Sequence, residues 1–205
     1  YEGTKELMKN RRPFNLTRSA YSGIQRYSAV WTGDNVAYDE HMMLGVRMVS
    51  SMGLTGIAFA GYDVGGFVGN ADSKLFARWL SLGAFSPFFR GHSMINSRDS
   101  EPWSFGEEVE QISRNYIRFR YQIMPYIYSL FYEASQTGLP LQRTLAIDYP
   151  HDHKVYDATF HNQYLFGPYF LVGPVESGDL LVADGDIDLP RADRRHPQHP
   201  LLGHH

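Results

Sequence analysis

Three chemically capable side chains recur at a fixed interval in this chain. Asp34, Asp63 and His92 each close a short apolar run, and successive ones stand 29 residues apart. One strand, one helix and two loops fill about that length, which is the repeat of parallel βα units. The runs Tyr27–Trp31, Thr55–Ala60 and Phe85–Phe89 are nearly continuous in apolar residues instead of alternating. Strands covered by helices on both faces read that way. The interval therefore predicts an α/β fold that places Asp34, Asp63 and His92 at one end of a parallel sheet. Arg18, closing the short run Phe14–Thr17, joins them. In a (β/α)8 barrel such strand ends form one mouth. An open doubly wound sheet gives the same local pattern, so the interval fits both.

The segments between these runs support the rhythm. Residues 1–12 read as the end of a helix, with Lys9, Arg11 and Arg12 suiting its negative pole and Pro13 stopping it. The link from Arg18 to Tyr27 is too short for a crossover helix. An amphipathic helix is predicted over 36–52, with Met42, Val46 and Val49 on one stripe and Gly53 as its closing glycine. A second is predicted over 72–83, burying Leu75, Phe76, Trp79 and Leu80. In Phe85–Phe89 the strand tolerates Pro87 near its start and ends at Arg90-Gly91-His92.

Residues 107–137 form the longest helical pattern, which Pro125 should kink or split and Gly138 should close. Gln111, Arg114, Arg118 and Arg120 make its polar face, and its aromatics, Tyr116 to Tyr132, are expected to serve packing. Beyond Pro140 the periodicity changes. Gln142–Ala146, Gln163–Phe166 and Tyr169–Val175 read as short strands of a β-rich module. The expected organisation is a βα unit over 1–140, the start of a β module over 141–177, and an irregular tail over 178–205. That tail is rich in Pro, Arg and His, carries no core positions, and is expected to be disordered without ordering a metal site.

Composition narrows the functional classes. A net charge of −3 gives no electrostatic reason to bind nucleic acid or an anionic membrane. With no Cys, disulfides and thiolate metal sites are excluded. No apolar run approaches the ~20 residues of a membrane span. The 14 Tyr, 13 Phe and 3 Trp supply flat faces that suit sugar rings and packed cores alike. The chain starts at Tyr1 without Met or a signal pattern and reads as an internal piece of something longer.

Asp34 fits two roles, a general acid at a strand end or the N-cap of the following helix. Asp63 likewise fits a ligand site or the turn before Gly65-Gly66, and His92 a site or a strand-end cap. Trp31 fits a pocket wall or the core, and Phe67 a pocket wall or a loop anchor. The glycines at 61–66 raise a nucleotide-binding alternative, but Gly61-Tyr62-Asp63-Val64-Gly65-Gly66 is neither G-x-G-x-x-G nor a P-loop with its Lys.

Arg18-Ser19-Ala20 through Trp31-Thr32-Gly33-Asp34-Asn35, Gly61-Tyr62-Asp63-Val64-Gly65-Gly66-Phe67 and Phe88-Phe89-Arg90-Gly91-His92 resemble successive motifs of glycoside hydrolase family 31, the α-glucosidase and α-xylosidase family. The likeness covers roughly residues 10 to 176 in order and spacing. It implies a retaining α-glycosidase with a (β/α)8 TIM barrel followed by β-sandwich domains, acting on an α-linked oligosaccharide or glucoside without a cofactor. It makes 1–140 the C-terminal half of the barrel. By the same resemblance Asp34 is the general acid/base, which must be protonated to donate and then act as base. Arg18 contacts sugar and carboxylates, Asp63 and His92 bind sugar hydroxyls in the −1 subsite, and Trp31 and Phe67 are walls of that pocket.

One expected part is missing. Retention needs a second carboxylate about 5–5.5 Å from the acid, and the family carries it in a Trp-x-Asp-Met-Asn-Glu type motif on an earlier strand. No such motif occurs here, and the only carboxylates before Arg18 are Glu2 and Glu6. A full barrel also takes about 250 residues. The chain is therefore expected to be a fragment without its nucleophile, inactive alone, with uncovered sheet edges that favour aggregation. The alternatives are α-xylosidase or another specificity of the family, or a carbohydrate-binding fragment without chemistry.

Overall fold

The computed structural model describes residues 1–177. The predicted tail, 178–205, lies outside the described residues.

A short helix α1 (Glu2–Met8) precedes β1 (Leu16–Thr17). A single 3-10 turn, Ile24–Arg26, is all that lies between β1 and β2 (Ala29–Trp31). Helix α2 (Asp39–Leu54), β3 (Ala60–Val64), α3 (Ser73–Gly83) and β4 (Phe88–Gly91) follow. The four strands form one parallel sheet in the order β1-β2-β3-β4, with Val30 paired to Ala60 and Asp63 to Arg90. That is half of the eight strands of a closed barrel.

Three sequence expectations shift, the fourth strand among them: it is Phe88–Gly91 instead of Phe85–Phe89, which leaves Pro87 just before it. The third strand is not Thr55–Ala60 but Ala60–Val64, entirely buried. Gly61, which read as the break, lies inside it because a Cβ there would stand 2.3 Å from the Phe88 carbonyl oxygen. Only glycine lets β3 and β4 approach so closely. Similarly, Gly53 does not close α2, which runs on to Leu54. A Cβ at Gly53 would meet Pro140 at 2.9 Å, so the glycine serves close packing, and the left-handed residue is Gly56.

Helix chemistry explains the covering layer. Asp39 and Glu40 place negative charge in the first turn of α2, and Met42, Met43, Val46 and Val49 bury its inner face. Asp72 caps α3 by accepting from the Leu75 amide at 2.7 Å. Trp79 and Tyr62 are fully buried in the core between α3 and β3. The predicted long helix is split, as Pro125 requires, into α4 (Glu107–Gln122) and α5 (Met124–Thr137), and Gly138 closes α5 at φ 79°.

The polar face assigned to α4 needs one correction. Arg120 is buried, donating to the carbonyls of Ala84 (2.9 Å), Ser86 (2.6 Å) and Pro87 (3.2 Å) with the rings of Phe89 and Phe166 beside it. Burial pushes its pKa down to about 10. The aromatics divide: Tyr116, Tyr126 and Phe131 pack on the core, whereas Tyr121, Tyr128 and Tyr132 are exposed. Beyond α5, strands β5 (Gln142–Thr144), β6 (Tyr164–Phe166) and β7 (Phe170–Val172) form a separate antiparallel sheet. Gln142 and Tyr164 dock it on the rest, Gln142 donating to the Val46 carbonyl and Tyr164 to that of Phe85.

Candidate active site

The parallel register sets the site. Because β1 to β4 run the same way, the residues at or just past their carboxyl ends, Arg18, Trp31 with Asp34, Asp63 and Arg90 with His92, fall on one edge of the sheet. Arg18 donates to Asp34 Oδ2 at 3.1 Å, and both side chains are largely open to solvent, at 60% and 41% exposure. Such a pair contributes little stability, about 0–1 kcal/mol, so its significance is orientation. Asp34 is not the N-cap of α2. That position belongs to Tyr38, which makes no side-chain cap bond.

Asp63 lies in the opposite environment. Its carboxylate is fully buried, and Oδ1 accepts from Arg90 Nη2 at 2.5 Å and Nε at 3.2 Å. Oδ2 is buried with no hydrogen-bond partner among the described residues. Burial raises the Asp63 pKa, and Asp34 adds to the rise, while the hydrogen bonds and charge of Arg90 and the charge of His92 oppose it. Arg90 also stands over the Trp31 ring, 5.1 Å from its centroid, and over Phe88 at 5.4 Å.

Trp31 is half-buried, and its Nε1 is likewise buried without a partner among the described residues. Phe67 anchors the loop after β3. Its amide donates to the Asn35 carbonyl, its own carbonyl accepts from the Met94 amide, and its ring stacks on His92 at 5.1 Å. Thus Arg18 with Asp34, Asp63 with Arg90, and Phe67 with His92 form three adjoining pairs.

Two participants escaped sequence reasoning. Arg90 appeared only as a strand terminus, although an arginine placed in register with a buried aspartate is its natural counter-ion. Asn35 is 4% exposed. Its Oδ1 accepts from Thr32 and its carbonyl from the amides of Phe67 and Val68, which ties the loop after β2 to the loop after β3. No sequence signal separates such an asparagine from an ordinary turn residue. A cavity of about 610 Å³ lies elsewhere, among Met42, Ala77, Leu82, Val109 and Val172, and holds none of these groups.

Carboxylates and arginines gather at the carboxyl ends of the parallel strands, the edge where barrel folds carry their sites. Residues 1–130 match the model of the glycosyl hydrolases family 31 TIM-barrel domain, and residues 138–194 match that of the family 31 C-terminal domain. The chain belongs to glycosyl hydrolase family 31. The second match runs past Ser177, where the sequence reading ended the family pattern.

Among relatives, alpha-glucosidase 2 of Bacillus thermoamyloliquefaciens is 47% identical over 175 residues, covering 85% of this chain and 22% of that protein. Among solved structures, a family 31 dextranase of Flavobacterium johnsoniae complexed with glucose superposes with a TM-score of 0.77 at 35% identity, covering 85% of this chain and 22% of that one. A family 31 alpha-xylosidase from a soil metagenome, complexed with xylose, gives 0.74 at 30% identity, with 83% and 28% covered. The chain thus spans about a fifth of the length of the relatives it matches.

Proposed function

We propose that the strand-end residues are the −1 subsite and acid/base half of a retaining α-glucosidase, and that this chain lacks the nucleophile and does not turn over alone. The observation that carries the reading is the Arg18–Asp34 pair, which holds an accessible carboxylate at the end of β2 beside the buried Asp63. Asp34 acts first as acid on the glycosidic oxygen and then as base on water. Arg18 orients it. Asp63 and His92 take sugar hydroxyls, and Trp31 and Phe67 bound the ring. Glu2 and Glu6 both lie on α1, which supports placing the attacking carboxylate on an earlier strand outside this sequence. We set the end of the barrel portion at residue 140, between α5 and β5, with 141–177 beginning the β-sandwich module.

An α-glucoside is the favoured substrate because the relatives are named alpha-glucosidases. α-Xyloside is the second reading, on the alpha-xylosidase likeness. The test is hydrolysis of p-nitrophenyl α-glucoside and α-xyloside by this chain and by a version extended upstream through the nucleophile motif. Turnover by the extended version alone, abolished by Asp34→Ala, is expected. Turnover by the 205-residue chain that survives Asp34→Ala would refute both the assigned acid and the missing nucleophile.

A further inference from the structure

We propose that Arg90 is the positioning residue of this site: it ties Asp63 through one carboxylate oxygen and leaves the other to receive a hydroxyl of the bound sugar. The proposal rests on the reading of the strand ends as a sugar subsite and adds a residue to it.

Register supplies the first support. Asp63 and Arg90 are direct partners on the neighbouring parallel strands β3 and β4, so the side chains meet without a long reach. Both donors that Arg90 turns toward Asp63, Nη2 and Nε, go to Oδ1. A fork that engaged one oxygen with each arm would have satisfied the whole carboxylate. Here Oδ2 stays buried and unpaired among the described residues. A buried acceptor without a donor is costly, and a ligand hydroxyl removes that cost on binding.

The guanidinium is itself fixed. It stands over the rings of Trp31 and Phe88, so it spans the ends of β2, β3 and β4 and has little freedom to swing away. Its side chain is 25% exposed while that of Asp63 is closed to solvent. Because Nη2 and Nε both donate to Oδ1, Arg90 acts on the site through the Asp63 carboxylate. The charged groups acting on the Asp63 carboxylate are Arg90 on β4, His92 just past it, and Asp34 from the loop after β2. Of these, Arg90 alone hydrogen-bonds it among the described residues. Removing that cation leaves burial and Asp34 to hold the Asp63 pKa higher still.

The experiment uses the full chain with Arg90→Met, Arg90→Lys and Asp63→Asn. Carboxyl-carbon NMR, with the Asp63 signal identified by its loss in Asp63→Asn, follows the titration of Asp63. Glucose is titrated into the same samples, and circular dichroism reports folding. In Arg90→Met, Asp63 is expected to titrate at higher pH, and glucose affinity to fall about 10- to 100-fold. Arg90→Lys keeps the charge but loses the planar fork, so Asp63 should titrate near its original pH while affinity falls by less. A folded Arg90→Met with an unchanged Asp63 titration, or with unchanged glucose affinity, overturns the proposal. If Arg90→Met does not fold, unchanged glucose affinity in Arg90→Lys overturns it. If the unsubstituted chain takes up no glucose, the sugar part of the proposal falls with the subsite reading, and the Asp63 titration separately decides the link to Arg90.

Discussion

Two arginines, one buried and one a quarter exposed, show how the same residue type is used in different regions. Arg120, on α4 beneath the sheet, finds three backbone carbonyls and the faces of two aromatic rings. Arg90, at the carboxyl end of β4, finds one oxygen of a buried carboxylate and leaves its twin unpaired among the described residues. The first arrangement closes on itself and fixes the loop before β4 against α4. The second leaves one buried acceptor without a donor among the described residues. A buried polar group left incomplete at a strand end is a candidate for ligand contact, whereas a buried cation whose acceptors are all backbone holds the scaffold.

This contrast can be broken by substitution, and the largest loss is expected at the scaffold. Arg120→Met removes the donor from three carbonyls, and urea unfolding should show a loss on the order of 3 kcal/mol or more. A loss under 1 kcal/mol would mean that this arginine does not hold the region together. Gly66→Ala comes next. Gly66 has φ 84°, and a Cβ there would stand 2.7 Å from the Ala37 backbone. About 2 kcal/mol should be lost, with the loop that carries Phe67 displaced.

Asp63→Asn sharpens the comparison through pH. The folded-state pKa of Asp63 is raised above its ordinary 3.8, so the native state holds the proton more tightly than the unfolded chain. Stability from this group is then complete below about pH 4 and is lost as pH rises through the folded value. The difference in unfolding free energy between the unsubstituted chain and Asp63→Asn should fall across that window. Asp39 has the opposite sign. Burial would raise its pKa, but hydrogen bonds from Ser177 and Arg78 and the charge of Arg78 lower it, so its contribution is lost on acidification. Taking the difference against Asp63→Asn cancels that background. The smallest effect on stability belongs to Arg18→Ala, under about 1 kcal/mol, because the pair it breaks is exposed. That same change should cost activity heavily in the extended enzyme.

The sheet was legible in the sequence because parallel strands buried on both faces leave continuous apolar runs, and because the 29-residue interval between Asp34, Asp63 and His92 counts βα units directly. Register was less legible. Gly61 reads as a stop, and only the neighbouring strand shows that it is a point of close approach. Gly53 misled in the same way. The identities of Asp34, Asp63 and His92 as strand-end residues came from spacing, but their different environments did not. Nothing local tells that the Asp63 side chain is closed to solvent while that of Asp34 is 41% exposed. Arg90 and Arg120 look alike in sequence, and only tertiary placement makes one a counter-ion and the other a clamp on carbonyls.

The most direct measurement is a titration of the chain with glucose, and in parallel xylose, followed by amide and indole NMR. Shifts are expected at Trp31, Asp34, Asp63, Phe67 and His92, reduced by Asp63→Asn. Shifts confined to the cavity near Val109 and Val172, or no shifts at the strand ends at millimolar sugar, would contradict the assignment of this site.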